Sequence, residues 1–278
     1  MAFLALPEPY DFALSTERYR AFGPDLANLW REGGLHRVVG GRDVRIEAAP
    51  GGVDVDPLDD EIERVVLHYL GAPFDLDAFS EFAASHAVLA SVVARLRGLR
   101  PPLGPDPYEM LVTSITAQQV SLQSAFAVRS RLIERFGERV GYAWSFPTEE
   151  RLAAAREEDL TGLGFSRRKA EYVIGLARAG IDWDALRALP DDGVKARIVQ
   201  VRGLGEWSAD WFLARHLARP HAWPAGDLGL VKALGAYLFE GARPSVVEAR
   251  ALAPQFAPFE NLSAQYLLAS LYTAAAAV

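Results

Sequence analysis

The stretch Val201-Arg-Gly-Leu-Gly-Glu-Trp-Ser-Ala-Asp-Trp-Phe-Leu-Ala-Arg-His216 is the one on which the fold turns. A Gly-Leu-Gly turn opens directly into a helical run, and another helical run, 192–200, precedes it. At a helix N-terminus several amide N–H groups lack intrahelical partners, and the helix dipole adds partial positive charge. An anion such as phosphate therefore docks there with little help from basic side chains. Taken alone, a Gly-x-Gly turn between two helices is more often an ordinary αα-hairpin.

Toward the C-terminus, Trp223-Pro-Ala-Gly-Asp-Leu-Gly-Leu-Val-Lys-Ala-Leu234 sets a lone carboxylate, Asp227, in a Pro/Gly loop just before an apolar-periodic helix. Asp227 reads as a helix N-cap and equally as a group placed to stabilise a developing cation, and the two readings are compatible. Toward the N-terminus, apolar residues Leu111, Ile115, Val120, Phe126, Leu132 and Ile133 predict one long helix over 108–136, or two stacked ones. Ser114, Gln118, Gln119, Ser121 and Gln123 fall on its other side. That polar, uncharged flank reads as a solvated or interhelical surface, or as contact with a polar ligand; composition alone favours the first.

The remaining pattern divides the chain in two. Residues 36–56 alternate apolar with polar and are broken at two Gly-Gly pairs, which predicts short antiparallel strands joined by turns. Leu58, Ile62, Val65, Val66 and Tyr69 then follow helical spacing up to Gly71. Residues 1–77 are expected to form an α+β domain. From Leu76 onward helical periods punctuated by Gly and Pro predict nine or ten helices, ending in an ordinary chain terminus at Ala274 to Ala277. The expected class is mainly α: a helical core over 78–278, with its hairpin at about 192–217, beside a small N-terminal α+β domain containing an antiparallel sheet.

The 278 residues are 50% hydrophobic and 23% charged, enough for a sizeable core and against a disordered or fibrous chain. No run of about 18 uncharged apolar residues occurs and the first ten residues lack the form of an export signal, so a cytoplasmic protein is expected. The absence of cysteine removes disulfides, thiolate metal sites and cysteine nucleophiles. His68, His86 and His216 have no partners at metal or triad spacing and are expected to be structural or exposed. The net charge of −7 argues against nucleic acid at first sight. Its distribution reverses that: residues 1–105 carry 10 basic and 16 acidic side chains, whereas 106–278 carry 19 and 20. Arg129, Arg131 and Arg135, and again Arg167, Arg168 and Lys169, cluster as a locally positive face.

The hairpin Val201-Arg-Gly-Leu-Gly205 and the loop Trp223-Pro-Ala-Gly-Asp227 together resemble the helix-hairpin-helix (HhH-GPD) DNA glycosylase superfamily, with Arg202 where proline is usual. The similarity is closer to the 3-methyladenine DNA glycosylase II, or AlkA-like, branch and covers nearly the whole chain. Glu8-Pro-Tyr-Asp-Phe12 looks like its opening strand, Thr116-Ala-Gln-Gln-Val-Ser121 like its Gln-rich helix motif, and Leu163-Gly-Phe-Ser-Arg-Arg-Lys-Ala170 like the segment before the hairpin. The fold implied is the helix-hairpin-helix glycosylase core, built of two helical subdomains. The activity implied is excision of an alkylated base from double-stranded DNA by a monomeric, nucleoid-associated enzyme that needs no membrane and no cofactor.

That resemblance assigns roles to residues. Breaking an N-glycosidic bond passes through an oxocarbenium-like sugar, so one fixed carboxylate near C1′ is needed, and Asp227 stands there. The base has to leave the stack and something has to fill the gap, a wedge implied for Gln119 with Gln118 beside it; polar contacts inside the helix bundle are the alternative for Gln118. An electron-poor base calls for aromatic faces. Trp207 and Trp211, one turn apart, are expected to line that pocket rather than only fill the core, with Tyr10 and Phe12 added from the N-terminal domain. DNA backbone contacts are implied for Arg202, Gly203, Leu204, Gly205 and Ser208, and for Arg167 and Lys169. A structural monovalent cation is implied at the carbonyls of Val199, Val201 and Gly203, bridging to a DNA phosphate.

Two departures matter. Where strand-cutting relatives carry a nucleophilic lysine, two residues past the second hairpin glycine, this chain has Trp207, so a monofunctional enzyme is expected. Leu268, in Ser263-Ala-Gln-Tyr-Leu-Leu268, stands where a tryptophan is usual, which predicts a wider, less discriminating pocket. Two further readings compete: a DNA-binding or lesion-scanning protein that has lost catalysis, and a purely structural all-α domain. Asp227 opposes the former and the joint match of four separated motifs opposes the latter.

Overall fold

The computed structural model describes residues 1–275, with side chains through Leu271. The chain opens with strand β1 (Ala2–Ala5) and two short helices, α1 (Phe12–Thr16) and α2 (Arg18–Ala21). Strands β2 (Leu29–Arg31), β3 (Gly34–Val39), β4 (Arg42–Ala49) and β5 (Gly52–Asp56) follow, then helix α3 (Asp60–Tyr69). The five strands form one antiparallel sheet in the order β1-β5-β4-β3-β2. At the β3–β4 connection Gly40 and Gly41 both have positive φ, the backbone that a two-residue turn of matching twist demands.

The period-2 alternation fixes which face is buried. Leu35 pairs with Ile46 and Ile46 with Val55, so these three form one row. With Leu4, Val44 and Val53 they are buried and share an apolar cluster with Ile62, Val66 and Tyr69 of α3. Arg37 alternates onto that same face, between Leu35 and Val39, and is equally buried. A charge in such a place needs partners, and it finds Glu109 of the helical part. Strand β1 was not read from the sequence, and Glu8–Phe12, expected as the opening strand, is not one. Pro7 and Pro9 cannot donate to a ladder, and Asp11 instead caps α1, accepting from Leu14 N at 2.9 Å.

From Leu76 the chain is helical: α4 (Leu76–Ala84), α5 (Leu89–Arg95), α6 (Pro107–Ala117) and α7 (Leu122–Phe136), then a two-stranded hairpin of β6 (Arg139–Val140) and β7 (Ala143–Trp144). There follow α8 (Glu149–Ala153), α9 (Glu157–Thr161), α10 (Arg167–Ala177), α11 (Trp183–Ala188), α12 (Asp191–Ile198), α13 (Glu206–Arg215), α14 (Leu228–Leu238) and α15 (Val246–Ala251). A 3-10 turn (Ala253–Phe256) leads into α16 (Glu260–Ala275). The described residues after Leu76 thus hold thirteen α-helices, more than the nine or ten expected. The surplus is elements of five or six residues, such as α8, α9, α11 and α15, too short to establish a 3.6-residue period. Of Ala274 to Ala277, the first two belong to α16 and the others lie outside the described residues. Among the described residues no helix is long and apolar enough to cross a membrane.

The helices bury a second apolar cluster, running in sequence from Phe74 to Leu268. The two clusters are joined by a buried ionic knot. Glu109 of α6 accepts from Arg37 of β3 and, at 2.6 Å, from Nη2 of Arg129 of α7, while Arg129 Nε also reaches Asp25 Oδ1 at 3.2 Å. Arg129, expected on a positive face, is thus an interior residue at 4% exposure. Burial alone would raise the Glu109 carboxyl, but the two guanidinium groups win and hold it down at about 2.

Candidate active site

Of the two readings of 108–136, one long helix or two, the structure has two, α6 and α7, and the break between them shapes the site. Ser121 caps α7, accepting from Ser124 N at 3.2 Å, so Gln118 and Gln119 form the corner instead of a helix flank. Gln119 is exposed with φ of 55°, the left-handed backbone of a tight corner. Gln118 turns the other way, its Nε2 donating to the carbonyl of Gly203 at 2.8 Å.

The hairpin itself is α12, a tight turn, and α13. Leu204 N donates to Val201 O at 3.0 Å, and Gly203 takes φ of 92°. A Cβ at Gly203 would lie 2.2 Å from the Tyr172 ring, so no other residue fits. Gly205 is the N-cap of α13 and offers no side-chain cap to its first-turn amides. Lys195 clamps the two helices through Asp210, 2.7 Å away and buried.

Asp227 caps α14: Oδ1 accepts from Gly229 N at 2.9 Å and Leu230 N at 3.0 Å. Its second oxygen, Oδ2, accepts from Nε1 of both Trp207 and Trp211, each at 3.0 Å. The one-turn spacing of the two tryptophans on α13 is what brings both indole N–H groups to one atom. Asp227 is half-buried and lines a cleft of about 230 Å³, with Trp207, Trp211 and Leu268 on its walls.

Tyr10 and Phe12 do not reach this cleft. Phe12 is buried against Trp30, ring centres 5.5 Å apart, and Tyr10 packs edge-on to Phe12 at 6.4 Å. As the first residue of α1, Phe12 faces the sheet; the outer side of α1 and α2 presents Leu14, Arg18 and Phe22 to the cleft instead. Phe22 and Phe126, whose rings lie 5.8 Å apart, complete the aromatic lining with Met110 beyond. The sequence offered no signal separating these from core: Phe126 sits at a regular apolar position, and Phe22 simply precedes a Gly-Pro stop.

The hairpin presents Arg202, Gly203 and Gly205 at its tip, with Arg202 ion-paired to Glu171. Leu204 is buried, and the Ser208 hydroxyl is buried too, accepting from Ser114 Oγ at 3.2 Å, so neither side chain meets a ligand there. Lys169 folds inward as well, its Nζ donating to Thr116 O at 2.9 Å; burial depresses its pKa. Arg167 stays at the surface, 3.6 Å from Glu157. The carbonyls named for a cation are oxygen donors, as a hard monovalent ion requires. Those of Val201 and Gly203 already accept one hydrogen bond each and keep a second lone pair.

The histidines lie elsewhere. His68 and His216 meet edge to face with ring centres 5.9 Å apart, His216 Nδ1 donating to Gly104 O at 2.7 Å. Burial pushes His216 down to about 4, a neutral imidazole at neutral pH. His86 stacks on Phe256 at 5.0 Å.

Residues 112–257 match the family described as HhH-GPD superfamily base excision DNA repair protein. The chain is 26% identical over 231 residues to a DNA-3-methyladenine glycosylase of Bacillus subtilis, covering 79% of this chain and 76% of that protein. It is 32% identical over 163 residues to DNA-3-methyladenine glycosylase 2 of Escherichia coli, covering 56% and 55%. Its fold matches the structure of a 3-methyladenine DNA-glycosylase from Archaeoglobus fulgidus with a TM-score of 0.87 at 24% identity, over 96% of this chain and 97% of that one. A hairpin with uncapped amides, an acid at the mouth of an aromatic cleft and these likenesses agree: the chain belongs to the HhH-GPD superfamily of base excision DNA repair proteins.

Proposed function

We propose that this protein is a monofunctional DNA glycosylase that extrudes an alkylated base of the 3-methyladenine type from duplex DNA and hydrolyses its N-glycosidic bond, leaving an abasic site. The observation that carries the reading is Asp227, fixed by four N–H donors at the edge of an aromatic cleft.

In this reading the extruded base enters between the aromatic walls. The C1′–N bond breaks with its electron pair leaving on the base, and the Asp227 carboxylate faces the positive charge that develops on the sugar. Water adds at C1′ and loses its proton to solvent. The four accepted hydrogen bonds occupy the four lone-pair directions of the carboxylate, which favours charge stabilisation over proton abstraction from water. Gln119 at the exposed corner fills the vacated stack, while Gln118 holds that corner against the hairpin. The turn 202–205 and the start of α13 take the DNA phosphate, and a monovalent cation on the carbonyls of Val199, Val201 and Gly203 would add positive charge to that grip. No lysine lines the cleft among the described residues, which supports hydrolysis without strand cleavage. We place the protein with chromosomal DNA in the cytoplasm, as a monomer.

The test is release of free base and abasic sites from methylated duplex DNA by the parent protein and Asp227→Asn. Release by the parent alone, with DNA binding kept in the variant, is the expected result. Binding without release by both would favour a lesion-scanning protein.

A further inference from the structure

Trp211 carries a cation of its own. Cζ of Arg215, one turn on along α13, lies 3.8 Å from the centre of a Trp211 ring, against 4.1 Å for the next nearest such pair, Arg31 on Tyr142. Both side chains line the cleft with Asp227. The Trp211 ring is also fixed in place by its N–H bond to Asp227 Oδ2. Elsewhere on the wall, among the described residues, Trp207, Phe22 and Phe126 carry π-faces without so close a cation, and Leu268 and Met110 offer none.

An aromatic face attracts a cation through its quadrupole, and a guanidinium close over that ring already draws on this attraction. A second cation brought into the same cleft is repelled by the first. An uncharged base meets no such repulsion. We propose that Arg215 is a specificity-determining residue that tilts the pocket toward uncharged bases and reduces its preference for cationic N-alkylated ones. This rests on the glycosylase reading above and refines its substrate range. Cationic lesions are still released, because their positive charge weakens the N-glycosidic bond; Arg215 narrows the margin by which they are favoured.

Duplex oligonucleotides carrying hypoxanthine or 7-methylguanine separate the effects, since both bases bear the same six-position carbonyl and 7-methylguanine adds the positive charge. Single-turnover release is measured for the parent, Arg215→Met and Arg215→Lys. The ratio of 7-methylguanine to hypoxanthine rates is expected to rise about tenfold in Arg215→Met and to stay close to the parent's in Arg215→Lys. Because it is a ratio on one protein preparation, partial misfolding cancels. An unchanged ratio in Arg215→Met, both rates falling together, or an equal rise in Arg215→Lys, overturns the assignment. A parent that releases neither base overturns this assignment, and the glycosylase reading falls with it only if methylated duplex DNA also yields no free base.

Discussion

Trp211 Nε1 donates to Asp227 Oδ2 at 3.0 Å, and Trp207 does the same from the preceding turn of α13. The tryptophans are therefore more than walls. They fix the carboxylate that α14 already grips by its first-turn amides, so the hairpin helix and the acid loop, which start independently in the sequence, are locked together at one carboxylate.

That lock predicts what removing one donor does. Trp207→Phe and Trp211→Phe keep most of the ring and lose the N–H. A hydrogen bond to a charged group contributes about 1.5–3 kcal/mol, so each change should slow single-turnover base release by about 10- to 100-fold while DNA affinity moves little. Affinity falling in step with rate would assign the tryptophans to folding alone.

The adjacent glutamines should separate. Gln118→Ala removes the bond from Nε2 to Gly203 O and should cost about 1 kcal/mol of stability together with DNA affinity, because the hairpin tip loses its brace. Gln119→Ala touches no such bond. It should leave the urea midpoint unchanged and slow base extrusion, followed by the fluorescence of 2-aminopurine beside the lesion. Identical behaviour of the two variants would dissolve the distinction between brace and wedge.

The ionic knot predicts acid sensitivity. Glu109 is held at about 2 against an ordinary 4.5 because Arg37 and Arg129 outweigh its burial. A carboxyl with a folded value below its unfolded one stabilises the fold above about pH 4.5 and loses that contribution as pH falls toward 2. Glu109→Gln leaves two buried guanidinium groups short of a partner and should destabilise by about 3–5 kcal/mol at neutral pH. It should also flatten the loss of stability between pH 4.5 and 2, read from urea midpoints. A variant as acid-sensitive as the parent would place the titration elsewhere.

What the sequence made legible follows from range. The sheet rows, the hairpin and the capping role of Asp227 are written in local periods and in Gly and Pro placement, and they are where those signals put them. The convergence of Trp207 and Trp211 on one oxygen is a tertiary fact, although their spacing announced a shared face. Phe22 and Phe126 were illegible because a pocket wall and a core have the same composition. Tyr10 and Phe12 were misplaced because a resemblance in sequence does not say which side of a short helix faces in. Lys169 and Arg129 looked like surface charge, and only the packed structure reveals a carbonyl and two carboxylates waiting for them.

The position of Trp207 also bears on the chemistry after base release. A strand-cutting glycosylase attacks C1′ with an amine and passes through an imine that borohydride reduces to a stable adduct. The chain has three lysines, Lys169, Lys195 and Lys232. The first is bound to Thr116 O and the second to Asp210. None of the three is on the cleft wall. Incubation with lesion-bearing duplex and borohydride should therefore give no covalent protein–DNA band, and the product strand should break only on treatment with alkali. Trp207→Lys puts an amine beside Asp227 and should create a trappable adduct. A borohydride adduct with the parent protein would mean that an amine outside the described cleft reaches C1′, and the hydrolytic reading would fall.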